Sequence, residues 1–433
     1  MPSKDETISS RTNWAGNYAY RAASLLEPAS VAELQQLLPT LRHAKALGAR
    51  HSFNSIADTS GTQISLAHFK SIDINTSGDA DAPTVTVGAG VTYGELAPVL
   101  HQRGFAVPNL ASLPHIAVAG ACATATHGSG VANQCLSAAV SAIDLVTAGG
   151  VLLHLSRAEN PEIFPGAVVA LGALGIITSL TLDLVPTFQV IQTVYENLPF
   201  HELEHSLIEI FSAGYSVSLF TDWQQHRASQ AWVKSKLKSK LTNPAQPPPD
   251  RQVFFGAMHQ TAKLHPLPRH SAENCTEQLT PGPWHERLPH FRLDFTPSSG
   301  TELQSEYFVP LANGFDAIRA VEELRDRITP LLFITELRTI AADDLWLSMA
   351  YARESLAIHF TWRPEPEAVL SLLPVIEAQL APFAARPHWG KLFTTPAATL
   401  QHLYPRFGTF RELASKLDPE GTFRNDFLAA LLA

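Results

Sequence analysis

Hydrophobic and polar positions near the start of the chain follow a helical period. The stretch EPASVAELQQLLPTLRHAKALG (27–48) predicts one helix, between Ser30 and Gly48. Ser30 can cap the start of this helix, with Glu33 three residues later, and Gly48 lies just beyond its end.

The next stretches change between a period of two and a helical period. TVTVGAG (84–90) predicts a strand ended by glycines, and TYGELAPVLHQRG (92–104) predicts a helix. SAIDLVTAGGVLLHLS (141–156) predicts two strands joined by its Gly-Gly turn. GALGIITSLTLDLVP (172–186) is a further apolar run that ends this part of the chain.

Two segments of small residues interrupt this pattern, GARHSFN (48–54) and AVPNLASLPHIAVAGACATATHGSGVAN (106–133). The longer one makes a poor helix or sheet core and suits backbone that approaches a ligand closely. Backbone N–H groups in such loops can surround a pyrophosphate, so two of them indicate a dinucleotide-type cofactor. VGAGVTYG (87–94) lacks the G-x-G-x-x-G spacing, so a Rossmann site is not predicted.

After the first 187 residues, strand-like runs alternate with helix-like ones. The strand-like runs are FQVIQTVYENLPF, YSVSLFTDW, QSEYFVPL, LLFITELRTI and LAIHFTWRP. They predict an α+β domain built around a mostly antiparallel sheet. We therefore expect a first domain over 1–187, a second over 188–403, and a C-terminal segment, 404–433, that returns to the first domain.

Three of these strands carry polar side chains on one face. In FITELRTI, the period of two puts Glu336 and Arg338 on the same face, about 7 Å apart. The other two strands contribute the following residues: Gln304 and Glu306 from one, and His359, Thr361 and Arg363 from the other. A solvated face of an antiparallel sheet would give the same pattern. The alternative is a polar pocket for a hydroxyl-rich substrate, which Lys391 of HWGK either completes or flanks.

Composition and charge narrow the classes of function. The chain has 433 residues, of which 45% are hydrophobic and 16% charged, as in a globular protein with a large core. Its net charge of −9 favours neither nucleic acid nor an anionic membrane. The three cysteines have no C-x-x-C spacing, and there is no apolar leader or run of about 18 apolar residues. We expect a cytoplasmic monomer that binds neither nucleic acid nor a membrane.

The segment HELEH (201–205) matches the H-E-x-x-H pattern of zinc peptidases. On a helix, His201 and His205 would share a face, with Glu202 as the base. The motif opens a predicted helix, no third ligand follows, and the chain holds 18 histidines. We therefore expect a solvated first turn and no metal site.

Together these motifs resemble the alditol oxidases, which belong to the FAD-dependent vanillyl-alcohol oxidase and p-cresol methylhydroxylase (PCMH) superfamily. The resemblance covers nearly the whole chain. It is carried by NWAGN, RHSFNSIAD, LASLPHIAVAGACATATHGSG, LQSEYFVP, TELRTI, HFTW and HWGK. The fold that it implies is α+β, with a PCMH-type FAD-binding domain and a second α+β substrate domain.

The resemblance also implies a covalently bound FAD. His51 matches the histidine that holds the flavin through its 8α-methyl group. The matching contacts to FAD are Ala49, Arg50, Ser52, Phe53 and Asn54 in the first loop; Ser112, Gly120, Thr124, Ala125, Thr126 and His127 in the second; and Ile177 later in the chain. Ala117 stands where some relatives have a serine, so one hydroxyl contact to FAD is in doubt.

For the substrate, the resemblance implies a polyol whose terminal CH2OH becomes an aldehyde while O2 becomes H2O2. The residues that match polyol contacts are Ser112, Gln304, Glu336, Arg338, Thr361 and Lys391. Arg338 and Lys391 would stabilise a developing alkoxide, and His359, coupled to Glu336, is the candidate proton acceptor.

Two alternatives stay open. One is a sugar-1,4-lactone oxidase or dehydrogenase of the same superfamily. The other is a flavin-binding or carbohydrate-binding protein without turnover, which would rarely need so many ionisable groups in one pocket.

Overall fold

The computed structural model describes residues 11–76, 83–237, 252–268, 270–295 and 301–433. The first 187 residues contain short strands and helices. The strands are β1 (Ser24–Leu26), β2 (Ala44–Leu47), β3 (Thr62–Ser65), β4 (Ile72–Asn75), β5 (Thr84–Gly88), β6 (Phe105–Ala106), β7 (Val140–Val146), β8 (Leu152–Ser156), β9 (Ile176–Asp183) and β10 (Val185–Pro186). The helices are α1 (Val31–Leu37), α2 (Tyr93–Gln102), α3 (Val118–Ala123) and α4 (Phe164–Val168).

The rest of the chain has longer elements. Its strands are β11 (Gln189–Pro199), β12 (Ser216–Thr221), β13 (Arg227–Lys236), β14 (Val253–Phe254), β15 (Ala257–Gln260), β16 (Gly282–Pro283), β17 (Leu303–Pro310), β18 (Leu332–Ile340), β19 (Ser355–Trp362) and β20 (Arg386–Pro387). Its helices are α5 (Phe200–Phe211), α6 (Trp284–Arg287), α7 (Gly314–Glu322), α8 (Arg325–Ile328), α9 (Pro366–Leu380), α10 (Ala397–Leu403), α11 (Phe407–Leu417) and α12 (Asp426–Leu432). No helix in the described part of the chain is long and apolar enough to span a bilayer.

The described part of the first region contains three sheets, of which the smallest is the antiparallel pair of β6 and β10. A three-stranded sheet in the order β1-β3-β2 is parallel, and a five-stranded sheet in the order β4-β5-β9-β7-β8 is antiparallel. The predicted β5, α2 and β7–β8 hairpin are confirmed. Helix α2 begins with a capping box, in which Thr92 Oγ1 accepts from the Glu95 N–H and the Glu95 carboxylate accepts from the Thr92 N–H.

The single helix predicted over 27–48 is wrong in its second half. Ser30 does cap α1, accepting from the Glu33 N–H at 3.2 Å, but the α-helix ends at Leu37. A 3-10 turn containing Pro39 follows, and Ala44–Leu47 forms β2, which pairs in parallel with β3. Tertiary strand pairing therefore overrides the helical pattern here, and Gly48 follows a strand.

The long segment of small residues is not wholly irregular either. It includes α3, a six-residue helix whose N-cap, Ala117, makes no side-chain capping bond. The helix packs Val118, Ala121 and Cys122 into the core of the first region. Small side chains thus serve both packing and close approach.

The second region is organised by a ten-stranded sheet. Its order is β14-β15-β11-β13-β12-β18-β19-β17-β20, with β16 pairing at the side of β11, and every pair is antiparallel. The predicted antiparallel sheet is confirmed. Ile358 and Phe360 on β19 belong to the same apolar core as residues of α7 and α9. The alternate residues of β19 face the opposite side of the sheet.

The C-terminal segment packs against the first region. Asn425 Nδ2 donates to the carbonyl oxygens of Ser55, Ile56 and Asp58 at 2.8–3.2 Å. The Ala44 N–H donates to the carbonyl of Thr422 at 2.9 Å. The domain boundaries at 187 and 403 stay predictions.

Candidate active site

One cavity brings together both groups of predicted site residues. From the two loops, its lining includes Gly48, Ala49, Arg50, His51, Ser52, Phe53, Ser112, Ala117, Gly120, Thr124, Thr126 and His127, and from β9 it includes Ile177. From the large sheet and the HWGK segment, it includes Gln304, Glu306, Glu336, Arg338, His359, Thr361 and Lys391. Two predicted cofactor contacts, Asn54 and Ala125, are not part of this lining.

The first loop is held in a strained shape against the HWGK segment. Arg50 has φ +62°, in the left-handed region that non-glycine residues rarely adopt. The Phe53 N–H donates to the Gly390 carbonyl at 2.7 Å. Asn54 Nδ2 donates to the carbonyls of Trp389 and Lys391 at 2.9 and 2.8 Å. Asn54 therefore positions the loop relative to Lys391.

His51 lies within this loop as a neutral ring. The indole of Trp14 stacks on it, with ring centroids 5.3 Å apart and an interplanar angle of 19°. Burial, and to a lesser extent the proximity of His115, lowers the pKa of His51 to about 4. A neutral imidazole has a lone pair on one nitrogen, so His51 can act as a nucleophile at neutral pH.

The second loop offers small residues and backbone. Gly120 has open space where a Cβ would stand, and Thr124 and Thr126 hydroxyls lie 3.2 Å apart. Ala125 is buried with φ +52°, so it shapes the turn between the two threonines. Two strained residues in loops that line one cavity are typical of a ligand clamp.

The register of three strands assembles the polar side of the cavity. Glu306 on β17 and Glu336 on β18 are both Cα partners of His359 on β19, while Gln304 on β17 is a partner of Thr361. Cross-strand partners have Cβ atoms about 5 Å apart, so the predicted polar faces form one continuous surface. That surface lines the cavity instead of facing bulk solvent. Arg363 lies beyond the end of β19, exposed, with its guanidinium over the ring of Phe333.

Glu306 is the centre of a buried charge network. Its Oε2 accepts from Lys391 Nζ at 2.6 Å and its Oε1 from Arg338 Nη2 at 2.7 Å. His127 Nε2 lies 3.2 Å from Oε1. Burial raises the pKa of this carboxyl, but the charges of Lys391, His127 and Arg338 outweigh burial and hold the pKa well below its ordinary value. Glu306 is thus an ionised counter-ion for two cations.

Lys391 and His359 form a hydrogen-bonded pair beside Glu306. Lys391 Nζ lies 2.7 Å from His359 Nδ1, and His359 Nε2 lies 3.2 Å from Thr361 Oγ1. Burial, reinforced by Lys391, lowers the pKa of His359 to about 4, so this ring is neutral. Burial also lowers the pKa of Lys391, against the attraction of Glu306.

The expected coupling of His359 to Glu336 has no direct hydrogen bond. Glu336 Oε1 instead accepts from His290 Nε2 at 2.7 Å and lies 3.6 Å from Arg338 Nε. Burial raises the pKa of Glu336, but Arg338 and His290 outweigh burial and lower it below its ordinary value. The cluster therefore contains two ionised carboxylates on either side of Arg338, whose Nη1 also donates to Ser112 Oγ at 3.2 Å.

Sequence reasoning missed the roles of three residues. Strand periodicity predicted the face of Glu306 but not its place between Lys391 and Arg338. His290 and Trp14 lie in irregular segments, where no period predicts what a side chain contacts. NWAGN, which contains Trp14, was part of the family resemblance, and this was the one available signal for that residue.

HELEH lies on the first turns of α5, far along the chain from every cavity residue named above. His201 is largely exposed and 3.4 Å from Glu202 of the same turn. Within the described ranges, no three His, Cys, Asp or Glu side chains group as metal ligands.

Comparison with known proteins identifies the family. A profile described as FAD binding domain matches residues 22–156, which include both loops, and one described as D-arabinono-1,4-lactone oxidase matches residues 296–431. An alditol oxidase from a Streptomyces species is 48% identical, over 97% of this chain and 98% of the relative. The chain belongs to the alditol oxidase family. It is an FAD-dependent oxidoreductase, and the resemblance found in its motifs is confirmed.

More distant matches to this member of the alditol oxidase family also extend over nearly the whole chain. An L-gulono-1,4-lactone dehydrogenase from Mycobacterium tuberculosis is 31% identical, over 97% of this chain and 98% of the relative. Among solved structures, cholesterol oxidase from B. sterolicum matches with a TM-score of 0.76 at 15% identity, over 98% of this chain and 96% of that one. This likeness concerns the fold alone and confirms the predicted α+β class, while the profile over residues 22–156 confirms the FAD-binding domain.

Proposed function

We propose that this protein is an FAD-dependent alditol oxidase. It converts the terminal CH2OH of xylitol, sorbitol or a similar polyol to an aldose and reduces O2 to H2O2. The observation that carries this proposal is the single cavity that joins the two small-residue loops to the Glu306–Arg338–Lys391–His359 cluster. The relative named alditol oxidase supports the substrate class.

The loops fit FAD in two respects. Both loops line the same cavity, and a Cβ at Gly120 would stand in open space within that lining. We propose that the residues that contact FAD are Ala49, Arg50, Ser52, Phe53, Ser112, Ala117, Gly120, Thr124, Thr126, His127 and Ile177, with Asn54 and Ala125 shaping the loops. Bound FAD would supply the two-electron acceptor that takes hydride from the substrate and passes electrons to O2.

We further propose that FAD is bonded to His51. Three properties support this attachment: the ring lines the cavity, it is neutral, and Trp14 restricts its orientation. A restricted neutral imidazole loses little entropy when it forms a bond and needs no deprotonation first.

The polar cluster suits removal of a proton from a hydroxyl group. Arg338 and Lys391 would stabilise the negative charge that develops on the oxygen of the reacting CH2OH. Glu306 keeps both cations charged and fixed. The neutral ring of His359, which is hydrogen-bonded to Lys391, is the proposed proton acceptor, because it lies beside the cations and its lowered pKa keeps it unprotonated.

The polyol itself would be held by further polar side chains of the lining. We propose Ser112, Gln304, Glu336 and Thr361, together with the two cations, as its hydrogen-bonding partners. This set offers both donors and acceptors, which a chain of hydroxyl groups can match along its length.

A sugar-1,4-lactone substrate is the second candidate. The lactone oxidase profile over residues 296–431 and the 31% identical lactone dehydrogenase favour it. The higher identity to an alditol oxidase ranks it below polyol oxidation. The monomeric state and the cytoplasmic location stay predictions.

A peroxide-coupled assay separates the two candidates. Purified protein should release H2O2 with xylitol or sorbitol and much more slowly with L-gulono-1,4-lactone. Arg338→Met should lose this activity while its visible flavin spectrum is unchanged. Faster turnover of the lactone would replace the proposal with the second candidate, and turnover of neither would contradict both.

A further inference from the structure

The two buried carboxylates of the cavity, Glu306 and Glu336, differ in how many of their oxygens accept a hydrogen bond. Both oxygens of Glu306 accept from cations, at 2.7 Å from Arg338 and 2.6 Å from Lys391. Glu336 is bonded through Oε1 alone, to His290 at 2.7 Å. Its Oε2 makes no hydrogen bond with any residue that the structure describes. An unpartnered oxygen of a buried side chain that lines a cavity is an acceptor available to a ligand.

His290 is held firmly from its other side. Lys234 Nζ, which is fully buried, lies 3.2 Å from His290 Nδ1, 2.6 Å from the Leu288 carbonyl and 3.0 Å from the Pro289 carbonyl. The ring of His290 packs edge-on against Trp232 at 5.2 Å.

The backbone of His290 links the second loop to the irregular segment that contains Thr276. Its N–H donates to the Ser112 carbonyl at 3.1 Å, and its carbonyl accepts from the Thr276 N–H at 2.9 Å. The imidazole is therefore fixed in position by contacts at both nitrogens and along the chain.

These contacts also select one tautomer of His290. Three acceptors surround Lys234 Nζ, which matches the three hydrogens of an ammonium group. Nδ1 then accepts from Lys234, so the single ring hydrogen is on Nε2 and points at Glu336 Oε1. A donor fixed at Oε1 sets the rotation of the carboxylate and hence the direction of Oε2.

We propose that His290, supported by Lys234, is a positioning residue that aims Glu336 Oε2 at the hydroxyl groups of the polyol beyond C2, where C1 is the reacting carbon. The inference rests on the proposed function and deepens it. Glu336 on β18 is the cross-strand partner of His359 on β19 and of Phe220 on β12. A polyol that extended from the Lys391–His359 pair across the sheet towards β12 would therefore pass Glu336. The carboxylate would thereby select substrates with several hydroxyl groups over short alcohols.

The test compares xylitol with propane-1,2-diol, which lacks the further hydroxyl groups. In His290→Leu, the KM for xylitol should rise about tenfold, as expected for a weakened hydrogen bond to a charged group, while kcat changes much less. The KM for the diol should stay near its wild-type value. His290→Gln, which keeps an N–H donor, should recover most of the xylitol KM.

Lys234→Met is the second variant, in case His290→Leu folds poorly. It keeps the length of the side chain but removes the donor to Nδ1, and it should raise the xylitol KM in the same selective way. If the wild type oxidises xylitol, two results in the variants would overturn this inference alone. One is an equal rise in KM for both substrates, and the other is a ratio of the two KM values that does not differ from the wild-type ratio. Absence of alditol turnover by the wild type would overturn the proposed function and this inference with it.

Discussion

The loop side and the sheet side of the cavity position their residues in different ways. The loop side has strained backbone, with Arg50 and Ala125 at positive φ, and mostly small side chains. The sheet side, β17 to β19, has no residue at positive φ, and its groups are fixed by buried ion pairs around Glu306. Under the proposed function, the shape of the loop side suits a large cofactor, and the charges of the sheet side suit a small polar substrate. Each side should fail in its own way when altered.

A substitution on the loop side should prevent covalent attachment of the cofactor. His51→Ala should lose all flavin that survives acid precipitation, because only a covalent bond retains it in the denatured chain. The wild-type pellet should be yellow and that of His51→Ala colourless. His68→Ala, an exposed histidine of the same region, should stay yellow. A colourless wild-type pellet would contradict the covalent bond.

A substitution on the sheet side should lower turnover while the cofactor stays bound. Lys391→Met removes a cation from the proposed site of charge development, and kcat should fall about 100- to 1,000-fold. Flavin content per chain should match the wild type, as measured from the visible spectrum. Lys416→Met, an exposed control, should change neither quantity. Near-normal kcat in Lys391→Met would remove this residue from the mechanism.

Neutralising the central carboxylate should cost stability. Glu306→Gln leaves the buried Lys391 and Arg338 without their shared counter-ion. The free energy of unfolding should fall by about 3–5 kcal/mol, which urea denaturation can measure. Glu412→Gln, on the exposed surface, should leave it unchanged. If the two variants were equally stable, the charge network would not be a source of stability.

Acid should weaken the sheet side through its buried histidines. Burial, which outweighs the opposing charge of Glu336, lowers the pKa of His290 from 6.5 to about 4. As pH falls, the unfolded chain binds this proton first, so the stability present above pH 6.5 is lost as pH falls towards 4. The loss is at most about 1.4 kcal/mol per pH unit for this one group.

Acid unfolding of variants tests that contribution. His290→Gln should have a shallower dependence of unfolding free energy on pH between 6.5 and 4. His402→Gln, which alters an exposed histidine, should have the wild-type dependence. An unchanged slope in His290→Gln would mean that this histidine does not titrate differently on unfolding.

The two sides also differ in what the sequence could predict. A period of two was enough to predict that Glu336 shares a strand face with Arg338, and His359 with Thr361, because strand geometry fixes the face of each residue. It could not supply the register that makes Glu306 and Glu336 neighbours of His359, since pairing depends on distant segments. His290 was not predictable, because an irregular segment places it.

On the loop side, composition predicted close approach to a ligand, and the family resemblance was needed to name FAD. The helix predicted over 27–48 failed because β3, a partner distant in sequence from α1, recruits Ala44–Leu47 into a sheet. The first loop starts directly after Ala44–Leu47, so the incorrect part of the prediction is the strand that positions His51.

Anaerobic mixing with xylitol tests the central claim most directly, since it requires both sides of the cavity to work together. The visible flavin absorbance of the wild-type protein should bleach on mixing, and admission of air should restore it with formation of H2O2. Absorbance that stays unchanged with xylitol and sorbitol, but bleaches with L-gulono-1,4-lactone, would contradict the account.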